Sequence, residues 1–269
     1  MSALSSSPAP LSAEDLRLLE TGLQELGFGL PTSGSGSDAD TVTGTDGEDG
    51  SFPAPRTRSL QEMLRLFALY IRELELFNAV FDLVGADTRR DLIVRHIFDS
   101  LSPWKTVSSL LAGGGTPCLA DAGSGAGFPG IPLAIAFPEI PVTLIERMSK
   151  RCAFLENCAA MMCLRNVRVL NCEVEKAPRH SFSVLVFRAF RPLDKQMTGT
   201  LLALLQPAGY LAAWKARRVK IDEEMSGIAH LVGSWKCVAT PVPGLAEEER
   251  HVVVMTGTTS SEARPNRSN

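Results

Sequence analysis

The stretch Asp121-Ala122-Gly123-Ser124-Gly125-Ala126-Gly127-Phe128-Pro129-Gly130 carries most of the chemical information in this chain. A strand-like run precedes it and a helix-like run follows. Glycines in such a turn let the backbone bend sharply and let a ligand approach where a Cβ would intrude. The carboxyl end of the first strand is also where open α/β sheets bind ligands. Glu146 ends the next strand-like run, 19 residues after Gly127. A carboxylate there can accept hydrogen bonds from both ribose hydroxyls of an adenosine.

Two ligands fit this plan. Gly125-x-Gly127-x-x-Gly130 matches the dinucleotide fingerprint, in which a pyrophosphate sits on a helix N-terminus. Asp121-x-Gly123-x-Gly125-x-Gly127 matches the loop of S-adenosylmethionine-dependent methyltransferases. Asp121, two residues ahead of the first glycine, suits a methionine ammonium group and would repel a pyrophosphate. Pro129 and Pro132 remove two N–H donors that a phosphate would use. The methyltransferase reading is favoured. An NAD(P)-dependent oxidoreductase and a non-catalytic nucleotide- or RNA-binding module stay as alternatives.

The elements that must position this loop follow from periodicity. Strand-like runs at Cys118–Ala120, Val142–Ile145, Val167–Leu170, Val184–Phe187 and Tyr210–Trp214 alternate with helical runs. The helical runs lie near Ile131–Phe137, Ser149–Cys163, Leu193–Leu205 and Val219–Leu231. Such alternation predicts a parallel sheet with helices on both faces. Lys236–Thr240 and His251–Met255 add an antiparallel pair that closes it. Upstream, apolar residues from Leu60 to Phe77 and from Asp91 to Leu101 predict two further helices. Ser12 with Asp15, ahead of Leu16, Leu19, Leu23 and Leu26, predicts a capped helix closed by Gly27.

Organisation and charge bound the rest. The chain has 269 residues, 45% of them hydrophobic and 21% charged, which excludes collagenous and wholly disordered classes. Residues 1–30 read as an N-terminal helical segment. Residues 31–56 read as a disordered acidic linker, too polar to offset chain entropy. A methyltransferase-sized domain spans 57–257, and 258–269 reads as a disordered tail. Residues 1–55 hold nine acids and one base, whereas 56–269 hold 26 bases and 21 acids. A mildly basic body can meet a polyanion. The start lacks a basic n-region and a long apolar stretch, so no export signal and a cytoplasmic location are expected. No apolar run is long enough to span a membrane. The six cysteines lack metal-ligand spacing and read as reduced thiols, so no metal is expected.

Several further blocks share one order and spacing: Arg95-His96-Ile97-Phe98-Asp99-Ser100, Ile131-Pro132-Leu133, Lys150-Arg151-Cys152-Ala153-Phe154-Leu155, Val174-Glu175, Arg188-Ala189-Phe190 and Glu249-Arg250-His251-Val252-Val253-Val254. With the glycine loop they resemble the bacterial RsmG (GidB) family over residues 60–256. The resemblance implies a Rossmann-like class I methyltransferase fold with a mostly parallel seven-stranded sheet. It implies S-adenosylmethionine as cofactor and N7 of a guanine in 16S ribosomal RNA, or the small ribosomal subunit, as target. Position by position it places Gly123, Phe128, Val174, Glu175, Glu146 and Arg188 at the cofactor, beside Asp121 and Gly125 of the loop. The chain departs from the family pattern at Phe77-Asn78, at Asp82-Leu83-Val84 and at Trp214-Lys215-Ala216.

Guanine N7 carries a lone pair and no proton, so methylating it requires no general base. The catalytic candidates, Arg188 and Lys215, are therefore positioning groups. Cations expected to meet RNA are Arg95, His96, Lys150, Arg151, Lys215, Arg217 and Arg218, with Arg89, Arg90, Arg191 and Lys220 as further candidates. Phe190 and Trp214 could stack on a base, although core packing is the better default for both.

Overall fold

Apolar alternation becomes a sheet of seven strands: β1 (Leu119–Ala122), β2 (Val142–Glu146), β3 (Val167–Asn171), β4 (Phe182–Arg188), β5 (Leu205–Lys215), β6 (Val232–Ala239) and β7 (His251–Gly257). The structure is a computed structural model that describes residues 9–29, 52–81, 83–113, 115–189 and 193–257. Most of the expected 31–56 linker, the 258–269 tail, Asp82, Phe190 and Arg191 lie outside the described residues. The strand order is β3-β2-β1-β4-β5-β7-β6. The first five strands are parallel. β7 lies antiparallel between β5 and β6. This is the Rossmann-like class I methyltransferase sheet, and the chain reverses direction across it between β1 and β4, the switch point where such sheets bind ligands.

Helices cover both faces: α1 (Ala13–Glu25), α2 (Leu60–Phe81), α3 (89–101), α4 (Trp104–Gly113), α5 (Gly130–Ala136), α6 (Ser149–Met161), α7 (Lys195–Leu204) and α8 (Arg218–Ile228). Strand pleating sends alternate side chains to opposite faces. On β4, Val184 and Val186 join the core beneath α1 to α6, whereas Leu185 and Phe187 join the core beneath α7 and α8. Burial on both faces explains why β4 reads as a continuous apolar run.

The sequence boundaries shift in three informative places. β5 begins at Leu205, not Tyr210, because a register irregularity opposite Phe182 and Val184 and a left-handed Ala208 carry Gln206-Pro207-Ala208-Gly209 into the strand. α4 was not anticipated. Its face is only Val107, Leu110 and Leu111, buried in one short stripe. α3 winds as a π-helix over Leu92–Phe98, a rare winding that is concentrated at functional sites.

The N-terminal helix is anchored to the same core. Ser12 and Asp15 form the reciprocal cap that their spacing predicts, and Gly27 follows the helix at φ +96°. Gly22 lies against the Phe98 ring so closely that a Cβ would overlap it. Arg89, an RNA candidate by sequence, instead ties α1 to α2. Its guanidinium meets Glu75 at 2.6 Å and Asp15 at 3.0 Å.

Candidate active site

The glycine loop adopts the backbone its composition requires. Gly123, Gly125 and Gly127 have φ of 70°, 57° and 98°, a region that side chains with a Cβ rarely enter. The Gly123 and Ser124 N–H groups both donate to the Ile145 carbonyl, at 2.9 and 3.1 Å, which clamps the loop to the end of β2. Glu146 completes the clamp. Its Oε2 accepts from Gly125 N at 3.0 Å and its Oε1 from Met148 N at 2.8 Å. Each oxygen retains acceptor capacity.

Asp121 is fully buried below the loop. Its Oδ2 accepts from Gly130 N at 2.9 Å, while Oδ1 is buried with no partner. Burial pushes its pKa up to about 7, against the opposing hydrogen bond from Gly130. Gly130 is obligatory here, since a Cβ would overlap the Leu144 side chain and press on Asp121.

A latch from outside the sheet holds the loop. The Tyr70 hydroxyl on α2, fully buried, donates to the Ala126 carbonyl at 2.6 Å. The Tyr70 ring lies 5.4 Å from that of Phe128. In the sequence Tyr70 looks like one more apolar helix position, and nothing local marks it.

Between the loop and the ends of β2 and β3 lies a hollow of about 180 Å³ lined by Gly123, Glu146, Met148, Arg151, Val174 and Ala189. It brings together Gly123, Glu146 and Val174 of the expected cofactor residues. Arg151, expected at RNA, borders this hollow. Glu175 is exposed and lines a separate hollow near Lys195 and Thr200. Consecutive side chains in the 3₁₀ turn Val174–Lys176 point about 120° apart, so the Glu175 side chain leaves the turn on another side than that of Val174.

Arg188, at the end of β4, is held on three sides. Its Nη1 donates to Asp99 Oδ2 at 2.7 Å and to the Arg95 carbonyl at 3.1 Å. Its Nη2 lies 3.0 Å from His96 Nδ1. Arginine only donates, so Nδ1 accepts and the His96 proton sits on Nε2, facing the Gly85 carbonyl at 3.4 Å. Burial, and then the Arg188 charge, lower the His96 pKa to about 4. The imidazole is therefore neutral and engaged with Arg188 and the Gly85 carbonyl. Phe128 is buried beneath this group, with the Arg188 guanidinium 5.1 Å and the His96 ring 5.2 Å from its centroid.

Asp99 is the hub that the sequence did not single out as functional. Its second oxygen takes Arg250 Nε at 3.2 Å, and its carbonyl accepts from Trp214 Nε1 at 3.0 Å. Trp214 is thus a core residue. The Arg-His-Ile-x-Asp-Ser spacing was the available signal: the π-turn and the following residues set Arg95, His96 and Asp99 around one guanidinium.

Beyond Arg188 opens a larger hollow of about 1110 Å³, walled by Arg188, Ala189, Trp214, Lys215, Arg217 and Glu224 among others. Ala189 borders both hollows, so they meet at the end of β4. Lys215 pairs with Glu224 on α8 at 2.6 Å. Arg217, Lys220 and Arg250 also line this hollow. Arg95 pairs with Glu248 at 2.6 Å, Arg218 with Asp222 at 2.9 Å, and Lys220 with Glu223 at 2.7 Å. Lys150 lies 5.8 Å over the Phe81 ring. All six cysteines are free. Among the described residues, no cluster of three or more His, Cys, Asp or Glu could hold a metal, and no helix is long and apolar enough to cross a membrane.

Residues 63–253 match the family model GidB, described as rRNA small subunit methyltransferase G. The chain belongs to this family. The Ribosomal RNA small subunit methyltransferase G of Treponema denticola is 39% identical over 220 residues, covering 72% of this chain and 86% of its own. The protein of the same name from Treponema pallidum (strain Nichols) is 37% identical over 202 residues, covering 74% and 87%. That of Cupriavidus necator is 35% identical over 209 residues, covering 74% and 88%. Among solved structures, a SAM dependent methyltransferase from Aquifex aeolicus covers 63% of this chain and 94% of its own, at 19% identity and a TM-score of 0.47.

Membership in the GidB family makes the protein an S-adenosylmethionine-dependent methyltransferase and removes the dinucleotide alternative. The residues fit that cofactor. Gly123 and Gly125 leave room beside the hollow, Asp121 Oδ1 is an unmatched buried acceptor suited to an ammonium, and Glu146 retains acceptor capacity for a ribose.

Proposed function

We propose that the protein methylates N7 of a guanine in 16S, small-subunit ribosomal RNA. The observation that carries this reading is the meeting of two hollows at Ala189, one fitted to a nucleoside cofactor and one with five cations and three acids on its wall. Bound S-adenosylmethionine supplies a methyl group on a cationic sulfur. The protein's own task is alignment, which can supply roughly 7–11 kcal/mol of a barrier.

The side chains near the junction suit a nucleophile that holds no proton. Arg188 is a fixed donor. Asp99 is committed to two guanidinium groups, and neutral His96 is committed to Arg188. None is poised as a general base, and guanine N7 needs none. The two-pronged arginine grip on O6 and N7 is excluded during reaction, because a donor on N7 would occupy the attacking lone pair. Arg188 and Lys215 therefore position the base through other atoms. The exposed cations Arg95, Lys150, Arg217 and Arg218 suit phosphate contacts, Arg151 suits the cofactor side, and His96 serves by holding Arg188.

Small subunits lacking the modification, incubated with the protein and labelled methyl donor, test the reading. The expected result is N7-methylguanosine at one guanine in 16S RNA, found by mass mapping. Comparing protein-free RNA with whole subunits shows which substrate is used. Absence of label, or label on another atom, refutes the proposal.

A further inference from the structure

The larger hollow contains a donor and an acceptor side by side. Lys215 Nζ and Glu224 Oε2 are 2.6 Å apart, each side chain about one-fifth exposed. Glu224 Oε1 also accepts from Leu193 N at 2.7 Å, so the carboxylate is fixed from both sides. It lies one helical turn beyond buried Ile221, which turns this face of α8 toward the sheet. A half-buried ion pair gains little stability once desolvation is counted.

The other acids of this wall are committed. Asp99 holds Arg188 and Arg250, and Glu223 pairs with Lys220 on the exposed side of α8. Glu224 has used two of about four acceptor positions, and Lys215 one of three donors to a carboxylate. The pair thus offers donors next to acceptors, at a spacing set by the ion pair itself.

A guanine whose N7 faces the cofactor hollow turns its Watson–Crick edge away from it. That edge presents O6 as acceptor, then N1–H and N2–H as donors. We infer that Lys215 and Glu224 together read this edge, Lys215 donating to O6 and Glu224 accepting from N1–H and N2–H. Adenine offers a donor and an acceptor in the reverse sense and mismatches both groups. Glu224 is then a specificity residue. The inference rests on the guanine-N7 reading above.

The test uses small subunits rebuilt with 16S RNA carrying guanine or inosine at the methylated position. Inosine lacks only the N2 amino group. Wild-type protein should lose roughly 10–100-fold in kcat/KM on inosine, the loss of one hydrogen bond to a charged acceptor. Glu224→Gln should lower guanine kcat/KM by a comparable factor. It should also shrink the inosine penalty to less than about tenfold, because the N2 amino group has then exchanged a charged acceptor for a neutral one. A purely structural role for Glu224 would leave the guanine-to-inosine ratio unchanged. Equal use of both bases by wild-type protein overturns the inference, as does a full inosine penalty in Glu224→Gln. If that variant does not fold, Glu224→Asp replaces it: the shortened carboxylate should likewise shrink the inosine penalty, and an unchanged penalty overturns the inference. Absence of any N7-methylguanosine with wild-type protein would instead remove the parent reading, and the inference with it.

Discussion

Tyr70→Phe removes one oxygen and nothing else, so it isolates the latch on the glycine loop. The lost bond is a 2.6 Å donation from a fully buried hydroxyl to the Ala126 carbonyl. Phenylalanine fills the same space and keeps the ring contact with Phe128. Leaving a buried acceptor unmatched costs about 1–3 kcal/mol. At roughly 2–4 °C per kcal/mol for a chain of this size, the melting temperature should fall measurably. Urea unfolding followed by the fluorescence of Trp104, Trp214 and Trp235 reads the change. Tyr210→Phe, at the half-buried second tyrosine, serves as control and should shift stability by less than about 0.5 kcal/mol. The effect has a pH signature. Burial raises the Tyr70 pKa well above its ordinary value. Its contribution to stability is therefore complete below the unfolded value of about 10 and is lost as pH rises beyond it. The gap between wild type and variant should narrow above that pH. A variant as stable as wild type within about 0.5 kcal/mol at neutral pH would show that the latch does not hold the loop.

Arg188→Ala should cut kcat/KM at least ~100-fold, the scale of a lost transition-state donor, with S-adenosylhomocysteine affinity changed only a few-fold. Asp99 keeps Arg250, so stability should fall less than activity, and equal losses would make Arg188 structural. Asp121, with its pKa raised to about 7, adds stability that is complete below about 3.9 and is lost as pH rises through about 7. Asp121→Asn should flatten that decline in pH-dependent denaturation, and wild type should release a proton on binding S-adenosylhomocysteine near neutral pH, read by titration calorimetry in two buffers. His96, with its pKa lowered to about 4, favours folding above its unfolded value of about 6.5 and loses that contribution as pH falls toward 4. His96→Gln should flatten the acid limb between those values, and an unchanged limb would refute the neutral, Arg188-bound imidazole. Gly123→Val places a branched residue at φ 70°, a strain of about 1–2 kcal/mol, and should abolish S-adenosylhomocysteine binding while the fold persists by circular dichroism.

Much of the fold was legible because its signals are local. Strand and helix alternation follows from burial, a pattern each segment carries by itself, and the Ser12–Asp15 cap needs only four residues. The glycine loop was equally legible, since its left-handed turns demand glycine wherever the rest of the chain goes. Bound to an acid ahead and an acid at the next strand end, it pointed to the cofactor class. What no local pattern contains is the pairing of charges across long stretches of chain. Asp99 meets Arg188 and Arg250, Tyr70 reaches Ala126, and Lys215 finds Glu224 only after the sheet has assembled. Arg89 and His96 read as available cations for the same reason. A side chain's charge is written in the sequence, but the partner that satisfies it is chosen by tertiary packing, because a partly buried charge must be matched by whatever the fold brings within about 3 Å.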